Sequence, residues 1–284
     1  MKIGTTTIPL AGWVVDASRP EEFRKNRLEA IRRIVKGYGL SSVELSLDFG
    51  IIFPQVFDES FYKSVAVLQK EFGFTCTVHL PFMWIDCSSL NETIRHSSLE
   101  CVRRAVDLSE PLYVDAYVLH LWGNTTIQIT TALKESVQRE MVLEAVLTQA
   151  DRSLSEITKF INPINLCVET LEAPPFDLFA PVIEKHGTSI CLDVGHIAYQ
   201  LGGELSFLDR YQERIREIHL HDYLVESIGG FTRTIDHLAL GKGQLDYRAF
   251  MQKLGDIQYN EVLILENNTQ FDLEQSIARI GDFL

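Results

Sequence analysis

Short apolar runs alternate with longer amphipathic stretches along the whole chain. Runs of six or seven residues rich in Val, Ile, Leu, Cys and Thr predict strands over Lys2–Ile8, Ser42–Leu47, Thr75–Pro81, Ala116–Leu121, Ile164–Thr170, Ser189–Val194, Arg216–His221 and Glu261–Glu266. Between them, apolar positions recur every three or four residues. That spacing predicts helices over Pro20–Gly39, Glu59–Phe72, Glu92–Ser109, Ala132–Phe160, Phe176–His186, Ile197–Tyr211, Tyr247–Leu254 and Leu273–Phe283. Eight strand–helix pairs in series call for a parallel sheet covered by helices. Continuous apolar runs such as Val262–Leu265 fit strands buried on both faces. No low-complexity segment or Pro/Gly/Ser-rich hinge breaks the series, so the expected fold is α/β: a single (β/α)8 TIM barrel spanning residues 1–284. The longest irregular stretches, Trp84–Asn91, Trp122–Thr131 and Leu224–Gln244, each follow a strand and are expected to cover the active face.

Six of these strands end in a side chain able to ligate a metal. They read TCTVHLP with His79, AYVLHLW with His120, NLCVETLE with Glu169, SICLDVGH with Asp193 and His196, REIHLHD with His219 and His221, and EVLILEN with Glu266. Parallel barrel strands point their C-terminal ends at one face, so these groups should converge. A mixed carboxylate–imidazole set suits Zn²⁺, with Mn²⁺ an alternative. One ion uses three or four protein ligands and keeps an open position, so the surplus implies two ions or even three. Glu169, central in strand order, is then the natural bridge. Taken singly, His79 or His120 could be a hydrogen-bonded core histidine, and a strand-end glutamate could cap the next helix. The joint pattern argues for a site, because buried charges are costly unless paired or metal-bound. Glu44 lines the barrel mouth or only packs its strand. Asp222 stays open, and His221 is expected to alternate away from His219 toward the helix layer. His237 lies in IDHLALGKG, where Gly241 and Gly243 permit close approach of the backbone.

Composition narrows the partners. Lys and Arg total 26 against 39 Asp and Glu, a net charge of −13, and no Lys/Arg block is present beyond the helix-spaced Arg24–Arg33. A nucleic-acid partner is therefore not expected. The 46% hydrophobic content supports a large core. No apolar run approaches the roughly 18–20 residues of a membrane span, and the start lacks a secretory pattern. Five cysteines without a CxxC pair fit a reduced, cytoplasmic protein with no structural zinc knot. Oligomeric state has no signal in the sequence.

As a set, these features resemble the AP endonuclease 2 / xylose isomerase-like TIM-barrel superfamily over nearly the whole chain. The resemblance rests on VEL around Glu44, His79, His120, Glu169, the DxxH of Asp193–His196, HLHD from His219, HLALGKG from His237, and LEN with Glu266. That superfamily includes zinc phosphodiesterases that cut DNA at abasic sites and metal-dependent sugar isomerases and epimerases. Similarity to the epimerases would make Glu169, Asp193, His219 and Glu266 the ligands of one ion, with both glutamates moving protons. The chain departs from them in TLEAPPF after Glu169 and in lacking their Arg after His219. Similarity to the endonucleases would give His79, His120 and Glu169 to one ion, Glu169, Asp193, His219 and Glu266 to a second, and His196 and His237 to a third. There the departure is Asp236 directly adjoining His237, in place of Asp-x-His.

A small-molecule phosphodiester reconciles this ligand set with the acidic charge. The opening IGTTTIPLAGW is similar to cobamide-remodelling phosphodiesterases. The expectation is thus a zinc-type hydrolase of a small phosphodiester, with the nucleotide loop of a cobamide as the specific substrate. Glu169, Glu266, His196 and His237 would be its catalytic groups, and Trp13, Glu44, His196, His237 and Lys242 would meet the substrate. The alternative is a sugar or sugar-phosphate isomerase or epimerase.

Overall fold

A computed structural model describes residues 1–12, 18–133, 137–198, 200, 202–228 and 231–283. Trp13 lies outside the described residues. The strands are β1 (Lys2–Thr6), β2 (Ser42–Ser46), β3 (Thr75–His79), β4 (Val114–Leu119), β5 (Leu166–Glu169), β6 (Ser189–Asp193), β7 (Ile215–Leu220), β8 (Asp222–Ile228), β9 (Phe231–Leu238) and β10 (Val262–Leu265). Strands β1 to β7 and β10 pair in parallel and close into an eight-stranded barrel, with β10 sealing the seam between β7 and β1. The helices are α1 (Ile8–Ala11), α2 (Pro20–Arg32), α3 (Asp48–Ile52), α4 (Glu59–Phe72), α5 (Glu92–Ser109), α6 (Asn124–Ala132), α7 (Val137–Ile157), α8 (Ala180–His186), α9 (Glu204–Tyr211), α10 (Tyr247–Asp256) and α11 (Gln270–Ile280). The expected (β/α)8 barrel is the observed architecture.

Helix α4 illustrates how local signals set an element. The Asp58 carboxylate accepts the Phe61 N–H at 3.1 Å, and Gly73 ends the helix in a left-handed conformation. Its buried face, Phe61, Tyr62, Val65 and Leu68, follows the helical period. Three expectations need correction. The helix expected over Ala132–Phe160 is α7, described from Val137 to Ile157, and a further helix, α6, fills most of the stretch expected to be irregular after Trp122. The helix expected from Ile197 begins only at Glu204, because Gly202 and Gly203 both take positive φ, which a right-handed helix cannot continue through. The segment expected to be irregular from Leu224 is largely the antiparallel pair β8–β9. Two runs separated in sequence by Gly229 and Gly230 are a hairpin pattern.

Strand alternation stacks the barrel interior in layers. Two residues before each strand-end ligand lie Ser42, Thr77, Val118, Cys167, Cys191, Glu217 and Ile264, all fully buried. Ala116, Val118, Cys167 and Cys191 form their own apolar cluster, apart from the larger core between strands and helices. The barrel is therefore packed beneath its mouth, which leaves the C-terminal rim as the place for a site. All five cysteines are free thiols. Among the described residues, no helix is long and apolar enough to cross a membrane.

Candidate metal centre at the barrel mouth

His79, His120, Glu169, Asp193 and Glu266 line a cavity of about 160 Å³ at the C-terminal ends of the strands, with His219 buried against them. Glu169 is the hub. Its Oε2 lies 2.7 Å from His120 Nε2 and 3.2 Å from His79 Nε2, while its Oε1 lies 3.3 Å from His219 Nδ1. The His79 Nδ1–H donates to the Leu80 carbonyl at 2.9 Å, which turns Nε2 toward Glu169. A lone pair on Nε2 would face an anionic oxygen, so a proton or a cation must lie between them. With no cation, the proton wins: Glu169 drives His79 up to about 10 against the opposing effect of burial. Burial dominates at His120 and lowers it. Glu169 itself stays well below the ordinary carboxylate range, because His120 and His219 outweigh its burial.

The second donor group surrounds His219. Its Nε2 lies 3.2 Å from Glu44 Oε2, and its Nδ1 faces Glu169 Oε1 at 3.3 Å, Glu266 Oε2 at 3.5 Å and Asp193 Oδ2 at 4.0 Å. That buried Nδ1 has no hydrogen-bond partner. An orphaned nitrogen ringed by three carboxylates fits a divalent ion with mixed nitrogen and oxygen preference. Among the described residues, His79, His120 and Glu169 offer donor atoms within 4.8 Å of one another, as do Glu44, His219 and Glu266, and Glu169, Asp193 and His196. Crowding has its price at Glu266. Burial, together with Glu44, Asp193 and Glu169, pushes it up to about 7 although His219 pulls it down.

The HLHD segment divides its labour. His219 and His221 point the same way, because residues two apart on a strand share a face, so His221 does not face the helix layer. Its Nε2 lies 3.2 Å from Asp193 Oδ2 and 3.3 Å from Oδ1. Asp222 accepts the backbone N–H groups of Tyr223 and Leu245 on one oxygen, and of Gly241 and Gly243 on the other. A Cβ at Gly243 would lie 2.2 Å from the Tyr223 carbonyl, and Gly241 has φ +81, so glycine is required at both places.

The remaining expected residues fall as follows. Glu44 is buried, lines the cavity and holds His219. His196 donates from Nδ1 to the Thr170 carbonyl at 2.8 Å, leaving Nε2 3.7 Å from Glu172 Oε1. Asp236 and His237 both line the cavity; Asp236 joins Glu172 and His196 as a further close donor group. Lys242 turns outward: its ammonium lies 2.9 Å from Asp272 and over the Phe271 ring, away from the cavity lining. Residues that the strand-end pattern did not single out are Phe82, Glu217 and Asn267. The Phe82 ring packs 4.7 Å from His120 and 5.0 Å from His79, and its N–H is held by Asp48. Glu217 lies fully buried beneath His219, and burial pushes its carboxyl up to about 8. The period-two pattern of REIHLHD already aligned Glu217 with His219.

Comparison with known proteins agrees with this architecture. The chain is 25% identical over 231 residues to the uncharacterized protein MJ1311 of Methanocaldococcus jannaschii, covering 78% of this chain and 74% of that one. It is 25% identical over 224 residues to MJ1614 of the same organism, covering 76% and 80%. Among solved structures, a D-tagatose 3-epimerase-like protein superposes with a TM-score of 0.75 at 18% identity, covering 100% of this chain and 97% of that one. An L-ribulose 3-epimerase superposes at 0.68 and 14% identity, covering 98% and 86%. At such identities the likeness is one of fold. The profile of the xylose isomerase-like TIM barrel (AP endonuclease 2) family matches residues 32–282, nearly the full series of strands and ligands described above, and the chain belongs to that family.

Proposed function

We propose that this barrel is a divalent-metal enzyme acting on a small, sugar-containing substrate. The observation that carries the proposal is the orphaned His219 Nδ1 among Glu169, Asp193 and Glu266. Those four residues would hold the ion. When bound, it supplies Lewis-acid polarisation of substrate oxygens and lowers the pKa of water.

The first reading is isomerisation or epimerisation of a small sugar, which the epimerase names of the similar structures support. Glu266, on the cavity wall, would take a proton from a carbon beside a carbonyl and return it. Glu169 would face the substrate opposite Glu266, although imidazoles surround both of its oxygens and make it the less free of the two bases. Phe82 supplies an apolar wall that limits water. A cavity of about 160 Å³ suits a small reacting portion rather than a large ligand held whole. The test is incubation with Mn²⁺ or Zn²⁺ and a panel of ketoses in D₂O. Deuterium uptake beside the carbonyl supports this reading, and no exchange across the panel refutes it.

A specific observation favours a second reading, hydrolysis of a phosphodiester in a small molecule. His79 and His120 on Glu169 Oε2 make a second donor group that a one-ion isomerase does not need. Two ions sharing Glu169 could divide the charge of a phosphoryl group. His196 and His237, both at the cavity, would then steady the phosphate or the leaving group. The nucleotide loop of a cobamide is the specific substrate proposed, on the likeness of Ile3–Trp13. Two ions per chain and release of cobinamide phosphate from a cobamide would support it. A single ion with no product would exclude it.

A further inference from the structure

His221 sits within reach of the candidate ligands, yet the protein occupies both of its ring nitrogens. The main-chain N–H of His237 donates to Nδ1 at 3.0 Å, and Nε2 spans the two oxygens of Asp193 at 3.2 and 3.3 Å. A backbone N–H has no alternative tautomer. Nδ1 must therefore be the acceptor, which leaves the ring proton on Nε2, where it is donated to Asp193. The Asp222 carbonyl, 3.2 Å from Nδ1, then meets a lone pair and takes no proton from it.

Two unusual backbone features build this arrangement. His237 has φ +59, a left-handed conformation that residues with a side chain seldom adopt. Its carbonyl and that of Leu238 are held by the Asn267 side-chain amide at 3.3 and 3.0 Å, which keeps the strained segment against the site. At Gly195, a Cβ would lie 2.4 Å from His221 Cε1, so only glycine lets the ring cross to Asp193. The other carboxylate contact, from the His196 N–H to Asp193 Oδ1 at 2.9 Å, fixes the second direction of the same group.

We propose that His221 is a positioning residue: it relays the orientation of the His237 main chain to Asp193 and is not itself a metal ligand. This separates it from the group His221, His237 and Glu266, whose donor atoms also lie within 4.8 Å of one another. A ring with one nitrogen accepting and the other donating has no lone pair left for an ion. The inference rests on the reading of Asp193 as a ligand, in the manner of outer-shell partners that aim a metal-bound group.

Three variants separate the roles. In His221→Gln the side-chain amide can still donate to Asp193. In His221→Asn an acceptor for the His237 amide remains but the reach to Asp193 is lost, and His221→Ala keeps neither. Titration of the metal-free full chain with Co²⁺, followed by visible absorption, should give a Gln variant within about threefold of the parent affinity and Asn and Ala variants about 10–100-fold weaker, all with the parent stoichiometry. Loss of a whole ion equivalent in all three would make His221 a ligand and overturn the proposal, as would parent affinity in all three. The ¹⁵N NMR signals of His221 in the metal-free parent give an independent reading. Read at alkaline pH, where the ring is neutral, the proton is expected on Nε2, and a proton on Nδ1 there would overturn the relay whatever the metal data show. A parent that binds no ion would refute the metal reading, and the NMR result would still decide the relay.

Discussion

Replacing Glu266 by Gln should stabilise the metal-free protein at alkaline pH and weaken the metal-loaded one. The carboxyl is crowded by Glu44, Asp193 and Glu169 in a buried site and rises from its ordinary 4.5 to about 7. Between those values the folded chain keeps a proton that the unfolded chain has released. The stability contributed by this proton is full below about pH 4.5 and is lost as pH rises toward 7. At about 1.4 kcal/mol per tenfold, the loss amounts to about 3 kcal/mol. The side chain is 15% exposed, so solvent screening reduces this only modestly. Gln is neutral throughout and escapes the loss. Glu217, raised to about 8, titrates in both proteins and cancels in the difference. Urea unfolding with a chelator present should give near-equal stabilities at about pH 4 and a Gln variant ahead by up to about 3 kcal/mol at about pH 8. Zn²⁺ or Mn²⁺ at a thousandfold excess over its Kd should reverse the order, since the bound ion then adds about 4.1 kcal/mol to the parent. A Gln variant that gains nothing between the two pH values would refute the electrostatic reasoning.

Three further outcomes are expected. His120→Ala removes a donor from Glu169 Oε2 and should cut bound metal by one ion per chain while leaving the His219 group loaded, as read by elemental analysis after dialysis. Asp222→Ala orphans four backbone N–H groups at once and should destabilise the fold by about 3–5 kcal/mol in urea melts, with or without metal. Asp58→Ala, which removes the α4 cap and the 2.7 Å pairing with Arg24, should cost about 1–2 kcal/mol and leave metal affinity unchanged. The Asp58 carboxyl is lowered because the Ser60, Phe61 and Arg24 contacts together outweigh its burial, so its stabilisation is present above the ordinary 3.8 and fades as pH falls through the lowered value.

The barrel was legible because each strand carries its signal locally: an apolar run, and then a ligand where the run meets solvent. His79, His120, Glu169, Asp193 and Glu266 converge for that reason alone. What stayed hidden depends on contacts that no local pattern encodes. Lys242 is expected from the sequence to meet the substrate, but Asp272, thirty residues on, claims its charge. His221 looked like an outward-facing neighbour of His219 and instead supports Asp193, a strand away. The Gly202–Gly203 stop before α9 and the hairpin β8–β9 could have been read from turn chemistry. Phe82 packs on the imidazoles with its backbone held by Asp48, the first residue of α3, thirty-four residues earlier in the chain.

The Asp222 clamp has a consequence for how such a barrel can change what it accepts. One carboxylate ties the base of the excursion between β7 and β10, drawing Tyr223, Gly241, Gly243 and Leu245 together just beside the candidate metal ligands. Beyond that knot, the outer halves of β8 and β9 pair chiefly with each other. The excursion is thus a module with a fixed root and an interchangeable crown. Sequence can be exchanged in the crown while the root keeps the candidate site's rim in register, which makes it the natural graft point for changing what the barrel binds.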